Sequence, residues 1–296
     1  MPPLPSSGSW TAALAELGAR QPLVLGILGN VSFALLGALI KWMRLDLEPL
    51  SLIAPWISMN AVAVGAWILW QHGPAGFRTS LLKVHLIRGV VMFLPFLGSI
   101  YALQHVPLSL HVTLTNTSPF FLTLIAGLWL KESVGPREWA ALGLGFAGVL
   151  ICVRPGVDGF NLFALAPVLM ALAIATGSAF VRRYPQEATS RWVFFQECIA
   201  GGLGFVILLS IDGPLPQVEQ LTPMLGMVLI DLIAMSSIYV ALSHMEASRL
   251  SPWAYVQIPI SAGLGWMIFE EVPGWSTGVG ALLIISGGWL TWRRPR

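Results

Sequence analysis

Tyr101 to Gly156 reads YALQHVPLSLHVTLTNTSPFFLTLIAGLWLKESVGPREWAALGLGFAGVLICVRPG. Two apolar runs, Pro107–Leu130 and Pro136–Val153, meet at a short polar turn holding Lys131 and Glu132. Each run is close to the ~20 residues a helix needs to cross a hydrocarbon core. In lipid, only helices and closed barrels satisfy their own backbone groups. Barrel strands alternate apolar and polar residues. Phe120-Phe121-Leu122 and, farther on, Ile207-Leu208-Leu209 are apolar at consecutive positions, so the runs read as helices.

The same texture extends outward in both directions. Of 296 residues, 56% are hydrophobic and 10% charged, against about 25% charged in soluble domains. Such scarce charge cannot coat a water-facing surface around a core this size. Ten spans are expected, near Pro22–Met43, Pro49–Trp70, Val84–Gln104, Pro107–Leu130, Pro136–Val153, Asn161–Arg182, Trp192–Ile211, Leu221–His244, Ser251–Glu270 and Trp275–Trp292. The fold class is thus an all-α membrane protein. Residues 1–21 read as a cytoplasmic N-terminal segment without a signal peptide's charged start, and 294–296 as a cytoplasmic tail.

Charge orients the chain. With the N-terminus inside, thirteen of the sixteen Lys and Arg fall in inner segments; only Lys41, Arg44 and Arg154 fall outside. Positive residues favour the cytoplasmic side of short loops, so both termini are expected in the cytoplasm of a multi-pass bacterial inner-membrane protein. A shift of about 139 residues brings Leu103-Gln104-His105 onto Leu242-Ser243-His244, Glu132 onto Glu271 and Gly148 onto Gly287; Pro119 and Tyr101 land one residue from Pro259 and Tyr239. The chain therefore divides into halves at 22–156 and 157–293. Each half has five spans, an odd number, so the second half is inverted relative to the first. Inverted repeats are a recurrent transporter architecture with the binding site near the midplane.

The stretch from Tyr101 to Gly156 resembles the EamA family of the drug/metabolite transporter superfamily. The resemblance rests on Tyr101, Pro119, Glu132 and the run Gly143, Gly145 and Gly148, repeated less cleanly by Tyr239, Pro259, Glu271, Gly280 and Gly287. It implies four helices of each half around a central cavity, with the fifth and tenth at the periphery. It also implies a small-molecule substrate drawn from amino acids, nucleosides, vitamins, S-adenosylmethionine or opine-type metallophores, with export the favoured direction. Where many relatives carry a basic or aromatic residue early in the second helix, this chain reads Pro55-Trp56-Ile57-Ser58.

Asp231 is the sharpest single signal, a carboxylate about ten residues into the eighth span. A charge at that depth costs about 2.5–3.5 kcal/mol on the insertion scale and should face a cavity or partner. It reads as a proton or cation site or an anchor for a cationic substrate group; a protonated Asp between helices is the structural alternative. Asn30, Ser58, Asn60, Asn116 and Gln257 fall near the same depth, and six polar side chains from six spans point to a shared wet cavity, against polar glue between helices. Glu197 and Arg88 sit shallower, about a turn and a half into their spans, either paired or snorkelling separately. Thr115 and its neighbouring hydroxyls flank Pro119, where they border the cavity or satisfy the carbonyl that proline frees.

Trp56, Tyr101, Tyr239, Trp253 and Tyr255 are candidate cavity aromatics. Trp10, Trp70, Trp275 and Trp292 read as an interface belt. Pro55, Pro119 and Pro259 are candidate hinges, beside Pro95 and Pro167. Glu132 and Glu271 read as helix-end electrostatics, and His105 and His244 as turn residues. Cys152 and Cys198 lack metal-ligand spacing, so neither metal nor cofactor is expected. No basic stripe points to nucleic acid, and no nucleotide-binding motif points to ATP drive.

The expected function is secondary transport of a small polar organic metabolite by alternating access, with protons as the coupling ion and lipid as the surroundings, in a monomer or homodimer. A channel or uptake carrier is the nearer alternative. An intramembrane enzyme is the distant one, because Asp231 and Glu197 lie on different spans at different depths and no protease motif occurs.

Overall fold

The computed structural model describes residues 21–129, 131, 134–153, 161–244 and 251–292. The N-terminal segment to residue 20, the tail from 293, Glu132, Arg154, Arg249 and the side chains of Tyr239, His244 and Trp292 lie outside what it describes. Ten spans follow in order. α1 (Pro22–Met43) and α2 (Pro49–His72) each start on a proline, at the helix position where a missing N–H would have been unpaired anyway. α3 (Leu82–Ala102) follows. The fourth span is broken into α4 (Leu108–Thr115) and α5 (Ser118–Leu128). α6 (Pro136–Val153), α7 (Leu165–Arg183), α8 (Thr189–Ser210) and α9 (Val218–His244) are continuous. The ninth span opens with a tighter 3-10 segment, Ser251–Val256, before α10 (Gln257–Phe269); α11 (Trp275–Trp292) is the tenth. Among the described residues, seven helices are long and apolar enough to cross a membrane.

One boundary matters for the site. α8 begins at Thr189, three residues before the expected Trp192, because Thr189-Ser190-Arg191 is helical though polar. Glu197 is correspondingly deeper than the sequence indicates.

The two five-span halves are inverted repeats that interleave. α1 packs on α9 of the other half, and α7 packs on α3 in the matching way. α2 crosses α8, and α6 crosses α11. One buried cluster joins Trp56, Phe93 and Phe120 of the first half to Met227, Ile258 and Ile284 of the second. Lipid tails are as apolar as leucine, so burial alone does not drive helices together in a bilayer; close packing of small residues does. The α6–α11 crossing shows this. A Cβ placed on Gly280 would stand 2.2 Å from Cys152 Sγ and 2.7 Å from the Gly148 carbonyl, whereas one on Gly278, two residues away, would meet nothing within 4 Å. Gly280→Val should therefore lower the melting temperature in detergent, by the equivalent of about 1–3 kcal/mol of overpacking. Gly278→Ala should leave it near the parent value. Equal effects at the two positions would contradict this packing.

Outside this packing the surface is apolar. Val62, Leu94, Leu128, Met267 and Leu282 are exposed, as befits a lipid-facing wall. Trp70 and Trp275 are exposed near helix ends, in keeping with the interface reading.

Candidate functional site

The helix packing brings four of the six midspan polar side chains together as two bonded pairs. Asp231 lies thirteen residues into α9, about 20 Å from its first residue, and is half-buried. Its Oδ2 accepts a hydrogen bond from Asn60 Nδ2 of α2 at 2.5 Å. Asn60 is 2% exposed, and its Oδ1 has no partner. The second pair joins α1 to the start of α10: Gln257 Nε2 donates to Asn30 Oδ1 at 2.7 Å, while Asn30 Nδ2 donates to Gly26 O at 2.8 Å. Gly29 links the pairs. It sits against the Ala234 carbonyl of α9, one turn from Asp231, and a Cβ there would be 2.9 Å from that oxygen. Each pair thus joins a helix of one half to a helix of the other.

The other two go elsewhere. Asn116 sits at the α4–α5 break and donates to Val112 O of its own helix at 2.9 Å; Thr115 Oγ1 does likewise to His111 O at 2.9 Å. These side chains satisfy carbonyls at the break, the structural alternative for this stretch. No hydrogen bond joins Asn116 to the other polar residues among the described residues. Ser58 faces α8, where a Cβ on Gly201 would lie 2.5 Å from its Oγ.

The candidate hinges differ in kind. Pro55 stands inside unbroken α2. Pro119 and Pro259 fall in the first turn of α5 and of α10, just past the breaks at Asn116-Thr117 and Val256, where the lost N–H has no partner to lose.

Trp56, 3% exposed, packs on Phe96 at 6.2 Å between ring centroids, one turn from Asn60; its Nε1 has no partner. Tyr255 is buried against Gly288 of α11, where a Cβ would be 2.2 Å from its ring, so it braces the peripheral helix. Arg88 of α3 donates to Gln196 Oε1 at 3.1 Å and to the carbonyls of Trp192 and Gly177 at 3.3 and 3.4 Å, with its guanidinium 5.4 Å from the Trp192 ring. Glu197 lies within electrostatic reach of both Asp231 and Arg88, and its Oε2 is buried without a hydrogen bond. The depth difference expected between Glu197 and Asp231 narrows, because α8 starts three residues earlier than expected.

Two clusters at the ends of the bundle escaped the sequence reading. At the mouth ringed by the α1–α2, α3–α4 and α10–α11 connections, Lys41 forms an ion pair with Glu271, donates to Val106 O at 2.7 Å, and sits 5.4 Å from the Phe269 ring. Glu271 Oε2 also accepts from Leu108 N at 2.8 Å, which caps α4. The two side chains are 7% and 19% exposed. Beside them Arg44 is fully buried, bonded to Leu47 O and to Gln104 Oε1 at 2.7 Å, and burial pushes its pKa below the ordinary guanidinium value. At the opposite mouth the Glu187 carboxylate accepts from Thr79 Oγ1 and Arg191 Nη1, both at 3.0 Å, with His85 Nε2 3.9 Å away; Arg191 Nε reaches Gly76 O at 2.9 Å. Each cluster ties one half to the other. The signal for the first was present: Lys41 interrupts Ala38-Leu39-Ile40 before Trp42, an uncommon place for a charge.

A crevice of about 590 Å³ opens between the first turns of α2 and the last turns of α3 and α8. Leu50, Leu94, Leu97 and Leu208 line it, and none of the midspan polar residues does.

Comparison with known proteins agrees with this arrangement. A family model described as the EamA-like transporter family matches residues 21–154 and again 161–293, one match per repeat. A riboflavin transporter of Rhizobium johnstonii is 30% identical over 266 residues, covering 88% of this chain and 87% of that protein. A pseudopaline exporter of Pseudomonas aeruginosa is 23% identical, covering 90% and 94%. A solved crystal structure of a protein superposes with a TM-score of 0.64 at 18% identity, over 92% of this chain and 96% of that one, and so has the same fold.

Proposed function

This chain belongs to the EamA-like transporter family, and from that premise we propose that it carries a small polar organic metabolite of the flavin class across the bacterial inner membrane by alternating access. The observation that carries this reading is the bonded pair Asn60–Asp231 at mid-span, enclosed by helices of both halves. A carboxylate at that depth is retained for a ligand or an ion, and inverted-repeat carriers bind at the interface of their halves. The pairs Asn60–Asp231 and Asn30–Gln257 offer amide donors and acceptors side by side. That pattern complements the alternating N–H and C=O edge of a flavin ring, with Trp56 Nε1 one turn away as a further donor. The riboflavin transporter among the relatives supports the same class; a zwitterionic metallophore, as in the pseudopaline exporter, is the second reading.

The distribution of Lys and Arg supports an outward α1–α2 mouth with both termini in the cytoplasm. Export is the direction the resemblance favours, and the exporter among the relatives accords with it. The carrier unit is one chain, alone or as a homodimer, with protons the coupling ion and Asp231 their point of action. Catalysis has no place in the proposal.

Counterflow tests it. Purified protein in liposomes preloaded with riboflavin should accumulate labelled riboflavin transiently, and unlabelled flavins should compete while nucleosides and amino acids do not. A signal with the metallophore class alone would replace flavin as substrate, and flux that does not saturate would replace the carrier by a channel. Vesicles of the two orientations read the direction.

A further inference from the structure

The α2–α8 crossing sets the depth of a group that the substrate reading leaves unused. Gly204 of α8 faces Ala54 of α2, Gly201 faces Ser58, and Phe194 faces Gly65, so each step forward in α2 matches a step back in α8. Phe194, Glu197, Gly201 and Gly204 recur at helical spacing on this contact face. Four residues from the Gly201–Ser58 contact, Glu197 comes level with Val62, two residues from Asn60, or about 3 Å in depth. Asn60 is bonded to Asp231. Two carboxylates, on α8 and α9, therefore lie near one level and within electrostatic reach of each other, and the Asn60 amide of α2 is bonded to one of them.

The hydrogen-bonding balance there is one-sided. Asn60 Oδ1 and Glu197 Oε2 are buried acceptors without partners, and Asp231 supplies further acceptor capacity. Among the described residues, Arg88 of α3 and Cys198 of α8 bear on Glu197, while His85 of α3 and Arg191 of α8 stand with Glu187. His85 is packed between Trp192 and Phe195 beside Glu187, so it serves the far mouth. Arg88 is within electrostatic reach of Glu197. Among the described residues, one guanidinium stands against two carboxylates. An unmatched charge in a low-dielectric site calls for a positive ligand. Three oxygens from three helices are too few for calcium, which takes about six to eight.

We infer that Asp231, Glu197 and Asn60 Oδ1 form a site for one monovalent coupling cation, a proton or Na⁺, at the level that Asp231 of α9 and Glu197 of α8 share beside α2. The inference rests on the carrier reading and deepens it: coupling belongs to the pair of carboxylates, and Glu197 is as necessary as Asp231. The cation enters with nothing oxidised or reduced; a proton is held as a carboxyl O–H shared between the two groups, and Na⁺ by their oxygens.

Infrared spectroscopy of the purified protein tests this without any substrate. On acidification in Na⁺-free buffer, a buried protonated-carboxyl band should appear in the wild type. Asp231→Asn and Glu197→Gln, both isosteric, should each remove or displace that same band. If Na⁺ is the ion, adding it should suppress the band and labelled Na⁺ should bind one per chain. Two bands that each survive the other substitution would overturn the inference, as would no band together with no Na⁺ binding. Wild-type counterflow, measured in parallel, reports separately on the carrier reading. Where it succeeds, substrate-driven movement of H⁺ or Na⁺ should be lost in Glu197→Gln; coupling that persists there would also overturn the site.

Discussion

Asp231→Asn should lower gradient-driven transport by about 10- to 100-fold while leaving the melting temperature unchanged or higher. The two effects have separate causes. A charge-assisted hydrogen bond to a ligand or ion is worth about 1.5–3 kcal/mol, and asparagine offers neither the charge nor a proton that can be released. Stability moves the other way, because a carboxylate at mid-span is costly and an amide is less so. Asn60 can still donate to the new side-chain oxygen, so the pair at 2.5 Å is kept in neutral form. Asp231→Ala is the informative contrast. It leaves the buried Asn60 amide with both ends unpaired, and an orphaned group of this kind costs about 1–3 kcal/mol. The measurements are solute accumulation in proteoliposomes under an imposed pH gradient and thermal unfolding in detergent. Undiminished accumulation by Asp231→Asn would remove Asp231 from coupling and from substrate binding alike.

The spans themselves were legible because a bilayer imposes a length and a composition that hydropathy reports directly. Pro136–Val153 was located to the residue, and the breaks in the fourth and ninth spans lie within three residues of Pro119 and Pro259. The site was legible in depth but not in azimuth. Counting residues put Asn116 level with Asp231, yet nothing in a count tells that its amide folds back onto Val112 O. The pairing of Asn60 with Asp231 depends on how α2 packs on α9. That contact joins residues 171 apart in the chain, which no local pattern reports. Glu197 was placed too shallow for a local reason. Hydropathy starts a span at its first apolar residue, whereas α8 starts at Thr189 after Ala188, with its first turn in polar residues. Lys41 was only counted among the outer charges, since a cation at a span end can snorkel to the interface. Its burial requires Glu271, 230 residues away, to come to the same mouth.

That ion pair carries the other large prediction. Lys41 and Glu271 bridge α1, the α3–α4 connection and the end of α10, and so close the α1–α2 mouth by joining the two halves. Removing one member of a buried pair strands the other, at a cost of about 3–5 kcal/mol. Lys41→Met should therefore destabilise the closed mouth by this order, shifting an open–closed equilibrium by a hundredfold or more at about 1.4 kcal/mol per tenfold. Ala38, buried one turn below Lys41, is the reporter position. With Cys152 and Cys198 replaced by serine, Ala38→Cys should resist an impermeant maleimide in the parent and label rapidly when Lys41→Met is added. The double variant Lys41→Met with Glu271→Gln separates gating from folding. The introduced glutamine amide still accepts from Leu108 N through its carbonyl oxygen and carries no stranded charge, so the melting temperature should largely recover. The mouth, lacking its ion pair, should stay reactive. Labelling that falls back to the parent rate in the double variant would mean that the stranded charge alone opened the mouth and that the pair does not hold it shut.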